Sequence, residues 1–535
     1  MTRARPFLLF GAVIAAIVLT GVWQGWNVAL GIVNMGLVSA IMALGVNMQW
    51  GYAGLFNIGV MGFVALGGLA SVVVSMPSVP AAWDAGGPRL IAGLLIGAAV
   101  IAGAVALWQR VAHGWLRTIL LTGFWQGWNV ALGIVNMGLV SAIMALGVNM
   151  QWGYAGLFNI GVMGFVALGG LASVVVSMPA VPAAWSAGGP RILLALLIGA
   201  AAIAAAVAVW QRMAKGWLRI VVLLAVLTAG FLIFRAVFDP AVDAVEGVNP
   251  ALEGYLGGLG LPVIVAWPIG GLLAAGAAWL IGKTALGLRA DYLAIATLGI
   301  AEIVIAVLKN EDWLARGVKN VIGVPRPVPY EINLQRDPGF VEWMQSMGQS
   351  PVIGSAIVVK LLYAALFLVV LAILLWLAES ALKSPWGRMM RAIRDNEVAA
   401  EAMGKDVTGR HLQIFVLGSA VCGLAGAMMT TLDSQFTPSA YQPLRFTFLI
   451  WVMVIVGGSG NNYGAVLGGF LIWFLWVSVE PAAVWLLTSV TEVLPADSAF
   501  RAHVVDSAQQ MRLLAMGAVL LIVLRFYPRG LIPER

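Results

Sequence analysis

The side chains best suited to catalysis or metal binding are few and far apart in this chain. Its 535 residues include three histidines and one cysteine. His113, His411, His503 and Cys422 share no spacing typical of a metal site, and a single cysteine excludes an intramolecular disulfide. Since we also find no nucleophile paired with a base, we expect no metal, no cofactor and no enzyme activity.

Two glycine-containing segments resemble phosphate-binding loops but lack the required spacing. Between Gly276 and Thr284, five residues instead of four separate the glycines, and an apolar run rather than a strand comes before them. The segment Gly457–Asn462 has no lysine after its glycines. We therefore expect that the chain itself does not bind ATP and that 457–462 interrupts a helix.

Composition indicates a membrane protein with many crossing helices. Hydrophobic residues make up 61% of the chain, charged residues make up 10%, and the mean hydropathy is +0.96. Apolar stretches of about 18–25 residues match a bilayer core of ~30 Å at ~1.5 Å per helical residue. Runs such as Leu361–Leu377 do not alternate as barrel strands do. We predict an all-α, polytopic transmembrane helical bundle with about 12–14 apolar segments, some of them re-entrant or broken.

The predicted spans begin with Pro6 to Trp23, which we interpret as an uncleaved helix because no small-residue cleavage site follows it. The segments 446–457 and 463–480 form a broken pair, and the first, ~18 Å long as a helix, is short enough to be re-entrant. The other predicted spans are 28–46, 52–76, 90–108, 130–148, 154–178, 192–210, 220–238, 261–281, 292–309, 356–381, 411–432 and 509–526.

Charged residues lie in the loops beside these segments and set the expected orientation. The net charge of +7 comes from short basic loops next to helix ends, so we exclude a nucleic-acid partner. Residues 239–260 are acidic, whereas 383–410 are basic. The positive-inside rule places 383–410 in the cytoplasm and 239–260 in the periplasm. We therefore expect a multi-pass protein of a bacterial inner membrane, surrounded by lipid.

A tandem repeat occupies the first part of the chain. Trp23–Arg89 recurs as Trp125–Arg191 with changes at only two positions, Ser78/Ala180 and Asp84/Ser186. We predict three regions: N-terminal helices with the first copy at 1–117, the second copy at 118–219, and a core at 220–535 that carries the loop 383–410. Three duplicated spans are an odd number and would invert everything after them. We expect a broken or re-entrant stretch at 118–148 to absorb this mismatch, unless one copy violates the positive-inside rule.

The segment from Ser384 to Gly404 has helical periodicity. Its apolar residues fall near one face, its charges fall on the others, and a glycine ends it. An amphipathic, charged helix of this kind suits docking into a groove of a soluble partner. The alternative is a solvated helix that merely joins two spans.

Here the sequence resembles a known family. The run from Arg391 to Gly404 is similar to the cytoplasmic coupling loop of LivM-type permeases of branched-chain amino-acid ABC importers, although Val398 stands where the broader importer pattern has Ala. Four further segments resemble the same family in consistent order along the chain: Arg289–Ile303, Gly323–Pro327, Gly457–Gly460 leading to Leu467–Gly469, and Tyr527–Gly530.

This resemblance implies a permease subunit of an ATP-driven importer for branched-chain amino acids or related small polar solutes. Its implied partners are cytoplasmic ATP-binding subunits, a second permease subunit and a periplasmic solute-binding protein. The residues that the resemblance assigns to the contact with the ATP-binding subunits are Arg388, Arg391, Arg394, Asp395, Glu397, Glu401 and Gly404.

Four polar residues are candidates for a translocation path. Glu302 lies well inside a predicted span, where an unpaired carboxylate costs ~2.5–3.5 kcal/mol, so it should face protein or water; Asp291 lies near the start of the same span. Asn57 and its copy Asn159, each between glycines, are placed where a helix would break beside a solute path. For Glu302 the alternative is a hydrogen bond to a neighbouring helix, and for the two asparagines it is ordinary packing.

A secondary transporter driven by an ion gradient is the alternative function. Inverted repeats and charges in the middle of spans mark that class, whereas the repeat here is direct and few charges lie within spans. The sequence does not identify the solute.

Overall fold

A computed structural model describes residues 5–49, 59–75, 127–250, 253–288, 290–491 and 499–534. The predicted span 90–108, Asn57 and residues 118–126 lie outside these ranges. The chain forms two units, Met1–Val100 and Ile101–Arg535. The described helices of the first unit are α1 (Arg5–Gln24), α2 (Trp26–Asn47) and α3 (Val60–Ser75).

The second unit is also helical almost throughout its described residues. Its helices are α4 (Trp128–Ala155), α5 (Val162–Ser177), α6 (Pro182–Ala187), α7 (Gly189–Arg212), α8 (Trp217–Glu246), α9 (Val263–Ala285), α10 (Ala290–Asn310), α11 (Asp312–Ala315), α12 (Glu331–Arg336), α13 (Pro338–Ser346), α14 (Pro351–Lys383), α15 (Pro385–Asp395), α16 (Glu397–Ala402), α17 (Val407–Asp433), α18 (Pro443–Gly457), α19 (Asn462–Val490), α20 (Ala499–Asp506) and α21 (Met511–Phe526). Two short strands, β1 (Val321–Ile322) and β2 (Gln435–Phe436), pair antiparallel.

Ten helical segments in the described residues are long and apolar enough to cross a membrane. Four shorter apolar helices accompany them, among them α5 and α18, which are buried inside the bundle. The prediction of an all-α, polytopic membrane bundle with some interrupted segments is confirmed. It could be made from the sequence because hydrophobicity and length alone are enough to specify a spanning helix.

The second unit has two ends, which we name by the charge of their loops. The basic end holds the loop 383–410. Helix α4 ends at this basic end, as shown by the hydrogen bond that Arg394 of the loop donates to the carbonyl of Gly153 in α4. Near the start of α4, the Lys360 Nζ atom of α14 donates to the carbonyl of Asn129 at 2.9 Å. Helices α4 and α14 therefore run parallel, from the acidic end, which holds residues 239–260, to the basic end.

Helix α18 connects the two ends and is not re-entrant. At its start, the hydroxyls of Tyr441 and Thr430 share a hydrogen bond of 3.1 Å at the acidic end. At its finish, Gly457 accepts a hydrogen bond from the amide of Ile532, in the C-terminal segment that lies beside Arg394. The re-entrant interpretation of 446–457 is therefore wrong. A helix of 15 residues, ~22 Å long, is sufficient to connect the two ends because protein, rather than lipid, surrounds most of the helix between them.

The bend predicted within 118–148 is also absent where the structure describes it. Helix α4 is one continuous helix of 28 residues from Trp128 to Ala155, so the prediction is wrong for 128–148. The interruption comes later, at 156–161, inside the predicted span 154–178. Gly156 begins it with a φ of +69°, a left-handed conformation that glycine adopts without strain and that often ends a helix.

The two copies of the repeat have very different environments. In the most apolar part of α4, in the second copy, 78% of the residues are buried, whereas the share for the identical sequence in α2 is 6%. Helices α4 and α5 pack against α17, and α4 also packs against α14 and α19. The second copy therefore forms the centre of the core of the second unit.

Candidate coupling and transport site

The basic loop folds into two short helices, each with its own N-terminal cap. The Ser384 hydroxyl accepts a hydrogen bond from the Gly387 amide at 3.4 Å, ahead of α15, and Asn396 Oδ1 accepts from the Ala399 amide at 2.9 Å, ahead of α16. Such caps satisfy amides that the first helical turn leaves free. Helicity in the segment from Ser384 to Gly404 is confirmed, with an interruption at Asn396 that the periodicity did not predict.

These two helices hold an apolar face toward the bundle and a charged face away from it. Met390, Ile393 and Ala400 are buried. Five of the predicted contact residues are exposed and Arg391 is half-buried; the exposed ones are Arg388, Asp395, Glu397, Glu401 and Gly404. Val398 and Met403 are also 76% and 80% exposed. Since they lie in a loop outside the spans, these two apolar side chains beside exposed charges are typical of a docking surface.

Three of the motifs that carried the family resemblance meet at the basic end. The C-terminal segment follows Tyr527–Gly530 and lies along the end of α18, where the Leu531 amide donates to the Val456 carbonyl at 2.9 Å. Gly530 and Gly458 approach so closely that a Cβ on Gly530 would lie 2.3 Å from the Gly458 Cα atom. Sequence spacing gave no sign that Arg391–Gly404, Gly457–Gly460 and Tyr527–Gly530 are neighbours.

The first helix interruption, 156–161, is held by hydrogen bonds on all sides. The Asn159 Nδ2 atom donates to Gln151 Oε1 at 2.9 Å, and Asn159 Oδ1 accepts from the Gly161 amide at 2.8 Å. The Asn159 carbonyl accepts from Trp451 Nε1 at 2.9 Å. Asn159 is 1% exposed. The predicted helix break is confirmed, and at this position Asn159 fastens the break to α4 and α18.

The second interruption, 458–461, is held by a buried polar cluster. Asn462 Oδ1 accepts hydrogen bonds from Asn149 Nδ2, at 3.1 Å, and from the Tyr154 hydroxyl. Asn462 Nδ2 donates to Glu379 at 2.9 Å, and the Gly460 amide donates to Asn149 Oδ1 at 2.8 Å. Each polar group thus satisfies another, so the cluster fixes α4, α14 and the start of α19 together.

We predict that Asn149→Ala destabilises the folded chain by about 2–4 kcal/mol, because it leaves the buried Gly460 amide without a partner and removes a donor from buried Asn462. The matched control is Asn47→Ala, the same residue of the first copy, which is exposed and should change stability by less than about 0.5 kcal/mol. Denaturation in mixed micelles, followed by tryptophan fluorescence, measures both. Equal effects of the two substitutions would contradict the distinct roles of the copies.

The two acidic candidates for the path both lie on α10. Asp291 is half-buried in the first turn, where a negative charge suits a helix N-terminus. Glu302 lies about halfway along the helix, on an exposed face. The buried face of α10 carries Thr297 and Ala301 instead, and among the residues that the structure describes no helix of this chain offers Glu302 the hydrogen bond that was its alternative.

Sequence reasoning missed the residues that hold the interruptions, namely Asn149, Gln151, Tyr154, Glu379 and Asn462. The available signal was the presence of amides within apolar runs, since a buried amide needs a partner. The partners are 313 residues apart for Asn149 and Asn462, and a single sequence does not show such a pairing.

Neither phosphate-like segment has the form of a nucleotide loop. The stretch from Gly276 to Thr284 belongs to the continuous helix α9, and Lys283 lies over the ring of Trp279, at 4.6 Å from its centroid. Among the residues that the structure describes, no group of three or more His, Cys, Asp or Glu side chains could hold a metal ion.

At the acidic end, the motif Gly323–Pro327 follows β1. Its Arg326 binds the Glu331 carboxylate at 2.9 Å and also donates to the Ser434 hydroxyl. The hydrogen bond to Ser434 and the pairing of β1 with β2 tie the segment after α10 to the end of α17.

Comparison with known proteins shows which family the chain resembles in sequence. Residues 241–524 match the family model for the branched-chain amino acid transport system, permease component. The chain is 30% identical over 234 residues to the high-affinity branched-chain amino acid transport system permease protein LivM of Escherichia coli K12, an alignment that covers 43% of this chain and 53% of that protein.

Two other relatives extend the comparison. LivM of Salmonella typhimurium is 27% identical over 295 residues, covering 54% of this chain and 61% of that protein. The fructose import permease protein FrcC of Rhizobium meliloti is 28% identical over 133 residues, covering 24% of this chain and 36% of that protein. The alignments thus span less than two thirds of the LivM proteins. No solved structure gives a significant match.

The family match covers more than half of the chain, and it includes the basic loop and both acidic candidates of α10. The chain is a multi-pass membrane protein that belongs to the family of branched-chain amino-acid transport permease components.

Proposed function

We propose that this chain is the membrane-spanning subunit of an ATP-driven importer in a bacterial inner membrane. In this proposal it forms, with a second permease subunit, the path for branched-chain amino acids or related small polar solutes that a periplasmic solute-binding protein delivers. Cytoplasmic ATP-binding subunits bind the basic end, and the chain itself does not hydrolyse ATP. The observation that carries the proposal is the surface of α15 and α16, where exposed charges surround the exposed side chains of Val398 and Met403.

The charges of this surface fit a partner groove. The buried apolar residues Met390 and Ile393 anchor α15 to the bundle. A partner protein that binds the loop would therefore bind a helix whose position is fixed relative to the bundle. Arg388 and Glu401 present opposite charges to the solvent side. A partner with complementary charges would be attracted and set in one register.

For the solute path, the exposed face of α10 supports an interface with a second permease subunit. Glu302 shares this face with Ile295 and Gly299, and a Cβ on Gly299 would meet nothing within 4 Å. A carboxylate facing lipid at this depth costs ~2.5–3.5 kcal/mol. A water-filled path between two subunits removes that cost, and the small Gly299 leaves room for it.

The interruptions at 156–161 and 458–461 support movement along this path. Both lie toward the basic end, and 156–161 packs directly behind α10, where the Ile160 amide donates to the Thr297 hydroxyl at 3.2 Å. A shift of the loop helices would thus be passed through 156–161 to α10, the helix that lines the proposed path. Helices interrupted in this way allow alternating access in many transporters.

Reconstitution tests this function. The chain is produced with the ATP-binding subunits, second permease and solute-binding protein encoded by neighbouring genes, placed in proteoliposomes, and assayed for uptake of radiolabelled leucine. We expect uptake that requires ATP, is insensitive to a protonophore and is not reduced by excess fructose.

Uptake that an ion gradient drives without ATP would instead support the secondary transporter. Competition by fructose, the solute named for one relative, would replace the proposed substrate class by sugars.

A further inference from the structure

Arg394 of the basic loop bonds to residues far away along the chain. The family resemblance placed it among the contacts with the ATP-binding subunits, yet its side chain is only 24% exposed. Arg388, on the same helix, is exposed and bonds only locally, to the Lys383 carbonyl at 3.2 Å. Arg394 instead points into the permease.

The first partner of Arg394 is the end of α4. Its Nη1 atom donates to the carbonyl of Gly153, in the last turn of that helix, where carbonyls lack intrahelical partners and favour a positive charge. The stem of the side chain also lies against Gly156, since a Cβ there would be 3.5 Å from Arg394 Cγ. Arg394 therefore contacts both sides of the point where the interruption 156–161 begins.

The second partner is Glu534, whose carboxylate lies 2.9 Å from the same Nη1 atom. Glu534 covers the interruption 458–461, because a Cβ on Gly460 would lie 2.6 Å from Glu534 Oε2. The backbone around Glu534 is fixed to the same interruption, with the Pro533 carbonyl accepting from Asn461 Nδ2 at 3.1 Å. Through Glu534, Arg394 reaches the second interruption as well.

A single guanidinium thus joins the loop helix α15 to both interruptions of the bundle. Arginine suits this position because the planar guanidinium holds its N–H bonds in fixed directions: Nη1 serves both Gly153 and Glu534, while Nε donates to the neighbouring Asp395 at 3.3 Å. The freely rotating ammonium of lysine fixes no such directions. The exposed residues of α15 and α16 form the outer surface of the loop, and Arg394 forms its inner link.

We infer that Arg394 is a positioning residue that clamps α15 to the interruptions at 156–161 and 458–461, so that movement of the loop is passed to both, and that it does not contact the ATP-binding subunits. This inference rests on the proposed function for its role in transport. The clamp itself is a property of the permease chain alone.

The clamp is tested on the full chain in lipid nanodiscs. Spin labels are attached at Ala392→Cys on α15 and Tyr463→Cys at the start of α19, both exposed positions, in a Cys422→Ala background. In the wild type we expect one narrow distance distribution. Arg394→Gln should widen it at least about 2-fold, and Glu534→Gln, which removes one arm of the clamp, should widen it in the same direction.

Arg388→Gln is the matched control, one charge removed from the exposed face of the same helix, and it should leave the distribution unchanged. An unchanged distribution in Arg394→Gln, or equal widening in Arg388→Gln, would overturn the inference. If Arg394→Gln does not fold, Glu534→Gln supplies the same comparison.

The second test measures solute transported per ATP hydrolysed in the reconstituted complex. Arg394→Gln should lower this ratio at least about 10-fold while the ATP-binding subunits still copurify, and Arg394→Lys should recover part of it. Loss of copurification in Arg394→Gln would make Arg394 a direct contact and overturn the inference. If the wild type binds no ATP-binding subunit, the proposed function fails, whereas the label distances still decide whether the clamp exists.

Discussion

Replacing Gly169 by Ala should destabilise the folded chain by about 2–3 kcal/mol, since the added methyl group has no space in the core. A Cβ on Gly169, in α5, would lie 1.8 Å from the carbonyl oxygen of Gly423 in α17. That neighbour is backbone, so relief requires the two helices to separate. Small residues at such crossings let membrane helices approach closely. Denaturation midpoints of the purified protein in mixed micelles measure the change.

The first copy provides the control for this substitution. Gly67 is the equivalent of Gly169 in an identical sequence, lies within α3, and would have nothing within 4 Å of an added Cβ. Gly67→Ala should therefore stabilise its helix, by up to about 1 kcal/mol, because alanine has the better helix propensity. The two substitutions should have opposite signs. Destabilisation of similar size at both positions would show that the first copy is packed as tightly as the second.

Reversing the charges of Arg391 and Glu401 together should lower ATP-driven uptake at least about 100-fold while the chain still inserts into the membrane. The physical reason is that each attractive pair with a complementary partner becomes repulsive, and close charge pairs across an interface are worth several kcal/mol. Glu401 is exposed and Arg391 is half-buried, so the fold should tolerate the change better than the interface. Leucine uptake and copurification of the ATP-binding subunits are measured side by side.

A matched pair at the other end of the bundle controls for altered charge as such. Arg336 in α12 and Glu342 in α13 are both exposed at the acidic end, and their reversal should leave copurification of the ATP-binding subunits unchanged. Normal uptake and copurification in the Arg391 and Glu401 double variant would mean that α15 and α16 do not bind the ATP-binding subunits.

Several features of this protein follow from the sequence alone because their causes are local. Hydrophobic segments of bilayer length specify spanning helices whatever surrounds them. The helicity of the basic loop likewise follows from its periodicity, but the periodicity did not show the interruption at Asn396, which caps the second helix by accepting from an amide three residues later. Gly156 and Gly458 lie at interruptions, where both have positive φ angles. The motifs of the C-terminal half were enough to indicate the family.

Other features depended on tertiary structure, because their causes lie in residues far away along the chain. Asn149 is completely buried and hydrogen-bonded to Asn462, whereas Asn47, in an identical stretch of sequence, is exposed. The sequence did not show the direction of the Arg394 side chain either, since besides the neighbouring Asp395 its partners are the distant Gly153 and Glu534. Identical sequences have the same helical preference and the same hydrophobicity. Which copy enters the core is decided by its packing partners, through close contacts such as that between Gly169 and Gly423.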